Sequence, residues 1–143
     1  MERDEKALKL AAEKGVSLCL PSDETTAKQI KEGIRGLGAK AVLDFVGIDA
    51  TLAMAAQSLR YMGRIVLVGI GGGVLPVSYK SLPKSSLLMT VLGGSTRELA
   101  EVVALAESGK VKPHIERFSL KEVGTVYRKL LVNKIAGRAV LIP

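Results

Sequence analysis

Short, almost purely apolar runs alternate with helix-period segments along this chain, and that alternation most constrains what it can fold into. Ala41-Val42-Leu43-Asp44-Phe45-Val46 and Arg64-Ile65-Val66-Leu67-Val68-Gly69 are apolar at nearly every position. A strand with one wet face alternates apolar and polar side chains, so runs of this kind belong to strands buried on both faces. Between them Leu52, Ala53, Ala56 and Leu59 recur at helical spacing, behind Asp49 as a cap and with an end expected near Gly63. Strands separated by helices of about 10–15 residues are the mark of parallel β-α-β units. The fold class is therefore α/β.

The same reading extends to the rest of the chain. Residues 4–14 read as a helix with Leu8, Ala11 and Ala12 on one face and Gly15 as the stop. Residues 16–20 read as a short strand ended by Pro21. Ser22 and Asp23 offer a cap for a helix carrying Ala27, Ile30, Ile34 and Leu37. Residues 71–83 are loop, and residues 87–92, from Leu87 to Leu92, are a further apolar strand. Ser95 with Glu98, and Ser119 with Glu122, are capping boxes, each opening a helix. Residues 114–118 and 138–142 read as short extended pieces.

Length points to one domain over residues 1–143. No apolar run reaches the roughly 18 residues of a membrane span, and the charged start, Met1 to Lys6, is unlike a signal peptide. The single cysteine, Cys19, forms no internal disulfide and fits a reducing cytoplasm. With Cys19 and His114 as the lone Cys and His, a zinc site, which takes about four such ligands, is not expected. The net charge of +7 raises the question of nucleic acid. Residues 71–143 hold most of the excess, with eleven basic and five acidic side chains. The longest cationic run there is Arg128-Lys129, without interleaved aromatics for base stacking, so nucleic-acid binding is not expected.

Ligands of parallel sheets sit beyond the carboxyl ends of the strands. Gly69-Ile70-Gly71-Gly72-Gly73 stands there, but Val74 and Leu75-Pro76-Val77 follow where a phosphate-binding turn needs its last glycine and a helix. The run is then either a side-chain-free wall for a planar ring or a flexible loop. Asp44, a carboxylate inside an apolar strand, must sit at an exposed strand end or accept backbone N–H bonds. His114 and Cys19 have no partners in a recognisable catalytic arrangement.

Three stretches carry a family resemblance. Residues 40–47, Lys-Ala-Val-Leu-Asp-Phe-Val-Gly, resemble the medium-chain dehydrogenase pattern G-x-D-x-V-[IL]-[DE]-x-x-G. Residues 59–69 are similar to that family's L-x-x-x-G-x-[IV]-V-x-V-G. Ala106-Glu107-Ser108-Gly109-Lys110-Val111-Lys112-Pro113 and Gly137-Arg138-Ala139-Val140-Leu141-Ile142-Pro143 are similar to the closing segments of zinc-type alcohol dehydrogenases.

The resemblance implies a truncated Rossmann-like, doubly wound parallel sheet with flanking helices, whose tail, residues 113–143, returns toward a catalytic domain. That domain, with its zinc ligands, would lie before residue 1, as would the first strand and the glycine fingerprint. Glu2 would fall near the acidic residue on the adenosine ribose, with Asp4 and Glu5 as alternatives. Gly69 and Ile70 would present backbone to the nicotinamide carboxamide, and Val46 and Gly47 would border a ribose. Leu92, Gly93 and Gly94 would lie near the nicotinamide, and Arg138 would pair with the pyrophosphate. The cofactor implied is NAD or NADP, bound weakly or not at all, without zinc.

In the family's strand order 3-2-1-4-5-6, residues 16–20 would be the third strand and residues 41–46 the fourth. The bare edge of the fourth is then closed either by residues 16–20 or by another chain. A homodimer through residues 87–92 is expected. The functional expectation is an oxidoreductase part that is inactive alone. The alternatives are a non-catalytic binding or assembly module, or one half of a dehydrogenase whose N-terminal catalytic half is a separate polypeptide.

Overall fold

A computed structural model describes residues 4–143, and the chain forms two compact units, one up to Gly93 and one spanning Gly94–Pro143. The first holds α1 (Glu5–Glu13), α2 (Thr26–Gly33), β1 (Ala39–Asp44), α3 (Asp49–Ser58), β2 (Leu59–Leu67) and β3 (Leu87–Thr90). The second holds α4 (Thr96–Glu107), β4 (Ile115–Ser119), a short 3-10 turn (Leu120–Glu122), α5 (Val123–Leu131) and β5 (Arg138–Ile142).

In the first unit the three strands are parallel and lie in the order β1-β2-β3. Register fixes which side chains share a face. Val42 pairs with Ile65 and Ile65 with Leu88, while Leu43, Val66 and Met89 form the next row on the opposite face. α3 packs against β1 and β2 and buries Leu52, Ala55 and Ala56. The core is Ala55, Ala56, Leu59 and Ile65, joined by half-buried Val42, Leu75 and Leu82. The long 68–86 connection therefore covers the same face as α3. In the row containing Leu43, Leu43 and Met89 remain exposed.

Four expectations need correction. Residues 16–20 are not a strand, and among the described residues β1 pairs only with β2. An apolar segment becomes a strand only when a neighbour takes up its backbone groups, and residues 16–20 have no such neighbour in the three-stranded sheet. They therefore do not close the β1 edge. Secondly, α3 ends at Ser58 rather than near Gly63. Leu59 opens β2, and the pairing with β1 slips between Ala39 and Ala41, so the extra residues before Arg64 form a bulge, with Met62 at positive φ. Thirdly, Asp49 is the first helical residue of α3, not its cap; Ile48 holds the cap position. Fourthly, Thr25 and not Ser22 or Asp23 holds the cap position of α2, which ends at Gly33, so Leu37 lies beyond it.

In the second unit β4 and β5 pair in parallel, Ile115 with Arg138 through Ser119 with Ile142. α5 buries Val126 and sets Lys129 over the Phe118 ring, 4.8 Å from its centre. Both capping boxes form. Ser95 and Glu98 open α4, and Ser119 and Glu122 open the 3-10 turn that leads into α5. α4 buries none of its residues.

Candidate functional site

Because the strands are parallel, their carboxyl ends meet at one edge of the first unit, and two loops leave it side by side. The loop after β1 (residues 45–48) is organised by Asp44. This carboxylate is buried at the strand end. Its Oδ1 accepts the N–H of Val46 at 2.9 Å and of Gly47 at 3.0 Å, and its Oδ2 accepts the Thr51 hydroxyl at 2.7 Å. Of the two placements expected for Asp44, the structure shows the hydrogen-bonded one. The sequence reading missed Thr51, which also takes the Ile48 N–H at 3.2 Å and so ties the loop to the first turn of α3.

The glycine run after β2 lies against this loop. Val68 and Gly69 donate their N–H groups to the Asp44 carbonyl at 2.8 and 2.9 Å. Gly71 donates to the Val46 carbonyl at 3.0 Å and Gly73 to the Gly47 carbonyl at 2.8 Å. The Val74 N–H ends the series on the Asp49 carboxylate at 2.7 Å. Glycine is required by this closeness. A Cβ on Gly71 would stand 2.7 Å from the Val46 carbonyl oxygen, and one on Gly73 would stand 2.5 Å from the Asp49 nitrogen. Gly69 is as tight against the backbone of Phe45 and Val46. The run is thus neither a free loop nor a phosphate cradle, because most of its amides are already spent on backbone and on Asp49.

What the edge offers outward is apolar and flat. The Ile70 side chain is 89% exposed, Val46 is half-exposed, and Gly72, at φ +77°, meets nothing within 4 Å of where a Cβ would stand. Of the residues the family pattern singles out, Val46, Gly47, Gly69 and Ile70 come together here. Leu92, 90% exposed, and Gly93 follow β3, whose carboxyl end lies at the same edge of the sheet. The N–H of Val91 still bonds the Leu67 carbonyl at 2.9 Å. Gly94 begins the second unit, where Arg138 opens β5 with an exposed side chain and its N–H on the His114 carbonyl at 3.0 Å. Glu2 lies outside the described residues. Its alternative Asp4 caps α1, accepting the Lys6 N–H at 2.9 Å.

The amides of Gly69, Gly71, Gly73 and Val74 all point inward, so few donors of the run are left for a ligand. Among the described residues no three His, Cys, Asp or Glu side chains are grouped as a metal site. A cleft of about 320 Å³ between α2 and α3, lined by Ser22, Asp23, Ala27, Ala50 and Met54, contains none of the ledge residues. No helix among the described residues is long and apolar enough to cross a membrane.

An NAD-dependent alcohol dehydrogenase of Sulfolobus acidocaldarius is 35% identical over 96% of this chain, which corresponds to 40% of that enzyme. The D-arabinose 1-dehydrogenase (NADP(+)) of Saccharolobus solfataricus is 34% identical over 76% of this chain and 31% of that enzyme. The crystal structure of the alcohol dehydrogenase from Aeropyrum pernix superimposes with a TM-score of 0.88 at 34% identity, covering 99% of this chain and 41% of that one. The chain thus spans about 40% of the length of the curated alcohol dehydrogenase it matches. The zinc-binding dehydrogenase family model matches residues 1–108, and with the Rossmann-like sheet and its glycine-braced edge it places this chain in the zinc-binding dehydrogenase family.

Proposed function

We propose that this chain is the nicotinamide-side part of an NAD(P)-dependent, alcohol dehydrogenase-type oxidoreductase and is not catalytic by itself. The observation that carries this reading is the split character of the edge. Ile70, Val46 and Gly72 form a surface suited to a nicotinamide ring, while the amides of Gly69, Gly71, Gly73 and Val74 are taken up by the Asp44, Val46 and Gly47 carbonyls and the Asp49 carboxylate and are not offered to a phosphate. When bound, NAD(P) supplies the hydride acceptor or donor. This chain's contribution is to border the ring and its ribose through Gly69, Ile70, Val46 and Gly47, with Leu92 and Gly93 at the end of the neighbouring strand. Polarising a substrate alcohol needs a metal or a positioned acid–base group, and Cys19 and His114 alone do not form a zinc site.

The chain assembles as a homodimer through β3 and the residues after it. Leu87, Leu88 and Met89 are exposed on an edge strand, and such an edge invites pairing. The test is an assay of the purified chain with NAD, a primary alcohol and Zn²⁺, followed at the NADH absorbance. No turnover above buffer is expected, and turnover that survives chelation and repurification would overturn the reading. Light scattering should give a dimer that Met89→Lys dissociates; a wild-type monomer at micromolar concentration contradicts the assembly.

A further inference from the structure

The glycine-braced loops leave the carboxyl end of the three-stranded sheet, and the opposite end gathers positive charge that nothing balances. No Asp or Glu occurs between Asp49 and Glu98, a stretch that holds Arg60, Arg64, Lys80, Lys84 and Arg97. Because the strands are parallel, the amino ends of β1, β2 and β3 share one edge. Lys40 stands there in β1, Arg60 and Arg64 in β2, and Lys84 three residues ahead of β3. Among the described residues none of these four makes an ion pair. Glu32, the last acid before β1, faces Lys28 on its own helix at 3.8 Å. Like charges held together repel, and a bound anion relieves that repulsion.

Two further features separate this edge from ordinary surface charge. A cleft of about 380 Å³ opens ahead of β3, with Tyr79, Lys84, Ser85 and Ser86 in its lining. The Lys84 ammonium and the Tyr79 and Ser85 hydroxyls have no partner among the described residues, whereas Ser86 donates its hydroxyl to the Pro83 carbonyl at 2.6 Å. The cleft wall is tied to the β2 bulge, since the Met62 N–H bonds the Lys84 carbonyl at 3.2 Å. In that bulge the Arg60 Nε is buried with no hydrogen-bond partner among the described residues. A buried donor without an acceptor is costly, and a guanidinium only donates, so whatever completes Arg60 must bring an acceptor oxygen. An ammonium, a guanidinium and free hydroxyls, with no carboxylate among them, are a donor set for a phosphate. A phosphate monoester presents three acceptor oxygens and nearly two negative charges at neutral pH.

We infer that the amino end of the β1-β2-β3 sheet is a second ligand site, which takes the phosphate group of a small phosphate monoester in the cleft beside Lys84. Lys84, Ser85 and Tyr79 hold the phosphate, and the Arg60 Nε–H completes its shell from the bulge. The site lies at the end of the sheet opposite Gly69 and Ile70, so it stands or falls independently of the cofactor reading.

The test is titration of inorganic phosphate, and separately of glycerol phosphate, into the isotope-labelled chain at constant ionic strength, followed by NMR. Both are expected to give saturable shifts confined to residues 59–64 and 78–86, with the Arg60 Nε–H resonance moving in step. Lys84→Gln, on an exposed side chain, should weaken binding at least about tenfold, as the loss of one hydrogen bond to a charged group implies. Lys110→Gln, in the second unit, should leave it unchanged. Shifts that never saturate, equal shifts from nitrate, or equal losses in the two variants would overturn the inference, leaving only general screening of positive charge. A fixed Arg60 Nε–H resonance would overturn it as well. Saturation by inorganic phosphate without any by glycerol phosphate would reduce the site to an adventitious ion only.

Discussion

The two faces of the β1-β2-β3 sheet are built from the same kinds of side chain and end in opposite states. On one face Ile65 is fully buried under α3. On the other, one residue away in each strand, Leu43 and Met89 stand about half in water. Sequence apolarity alone does not distinguish them: β1 reads Ala-Lys-Ala-Val-Leu-Asp and both faces receive aliphatic residues. Burial is decided by where the connections go, and these run over one side. An apolar strand in a parallel sheet is thus a statement about the complete sheet, not about the cover that one stretch of chain supplies.

The sharpest way to break this comparison is to mutate across it. Ile65→Ala on the covered face should destabilise the first unit by about 2–5 kcal/mol, through lost transfer energy and an unfilled cavity. Leu43→Ser, its neighbour on the open face, should stay within about 0.5 kcal/mol in the isolated chain. Urea unfolding of the two variants checks the difference. Equal losses would show that the Leu43 face is covered after all.

Asp44 is the next largest lever, because it joins the covered face to the ledge. Asp44→Ala leaves the Val46 and Gly47 amides without an acceptor and frees Thr51, a loss on the order of 3 kcal/mol at about 1–3 for each unsatisfied group. Asp44→Asn keeps one carbonyl oxygen and should lose about half as much. Thermal unfolding of both variants beside the wild type reads this ordering.

A smaller effect separates adjacent glycines. Gly71→Ala drives a Cβ toward the Val46 carbonyl, whereas Gly72→Ala meets open space. Exchange of the Gly73 amide, bonded to Gly47, should accelerate about tenfold in the first variant, equivalent to roughly 1.4 kcal/mol, and change little in the second.

Much of this architecture was legible in the sequence because it depends on local chemistry. The two Ser-Glu capping boxes, the apolar strands and the α/β alternation each follow from a few neighbouring residues. The failures were those of context. Residues 16–20 are as apolar as a strand but lack a strand to pair with among the described residues, and α3 stops at Ser58 because Leu59 starts pairing with Ala39, a contact invisible in the local spacing. At the site, the glycine run announced close approach, but not that its amides would be spent on residues 44–49. Thr51 gave no signal at all, since its role depends on the turn that brings it to Asp44.

The mildest perturbation is acid. Asp23 is held below its ordinary value of 3.8, chiefly by the Thr25 hydroxyl and then the Thr25 amide. Glu98 is held below 4.5 by the Ser95 amide and then its hydroxyl. A carboxyl lowered in the folded state adds stability above its unfolded value, and that contribution fades as pH falls through the folded one. Both groups are solvent-exposed, so a slight loss of helix signal below about pH 4 is expected by circular dichroism. Constant signal down to the folded values would show that these hydrogen bonds contribute nothing to the helices.

The central claim is that the edge carries a nicotinamide ledge without a pyrophosphate cradle, and calorimetric titration of NAD(H) into the purified chain tests it most directly. Hydrogen bonds to charged groups contribute about 1.5–3 kcal/mol each, and the loss of several leaves little of the cofactor's affinity. The account predicts a dissociation constant at or above about 1 mM, a binding free energy of roughly −4 kcal/mol or weaker. A micromolar constant would contradict it, because the chain would then have to hold the phosphates with donors other than the amides bonded to Asp44, Val46 and Gly47.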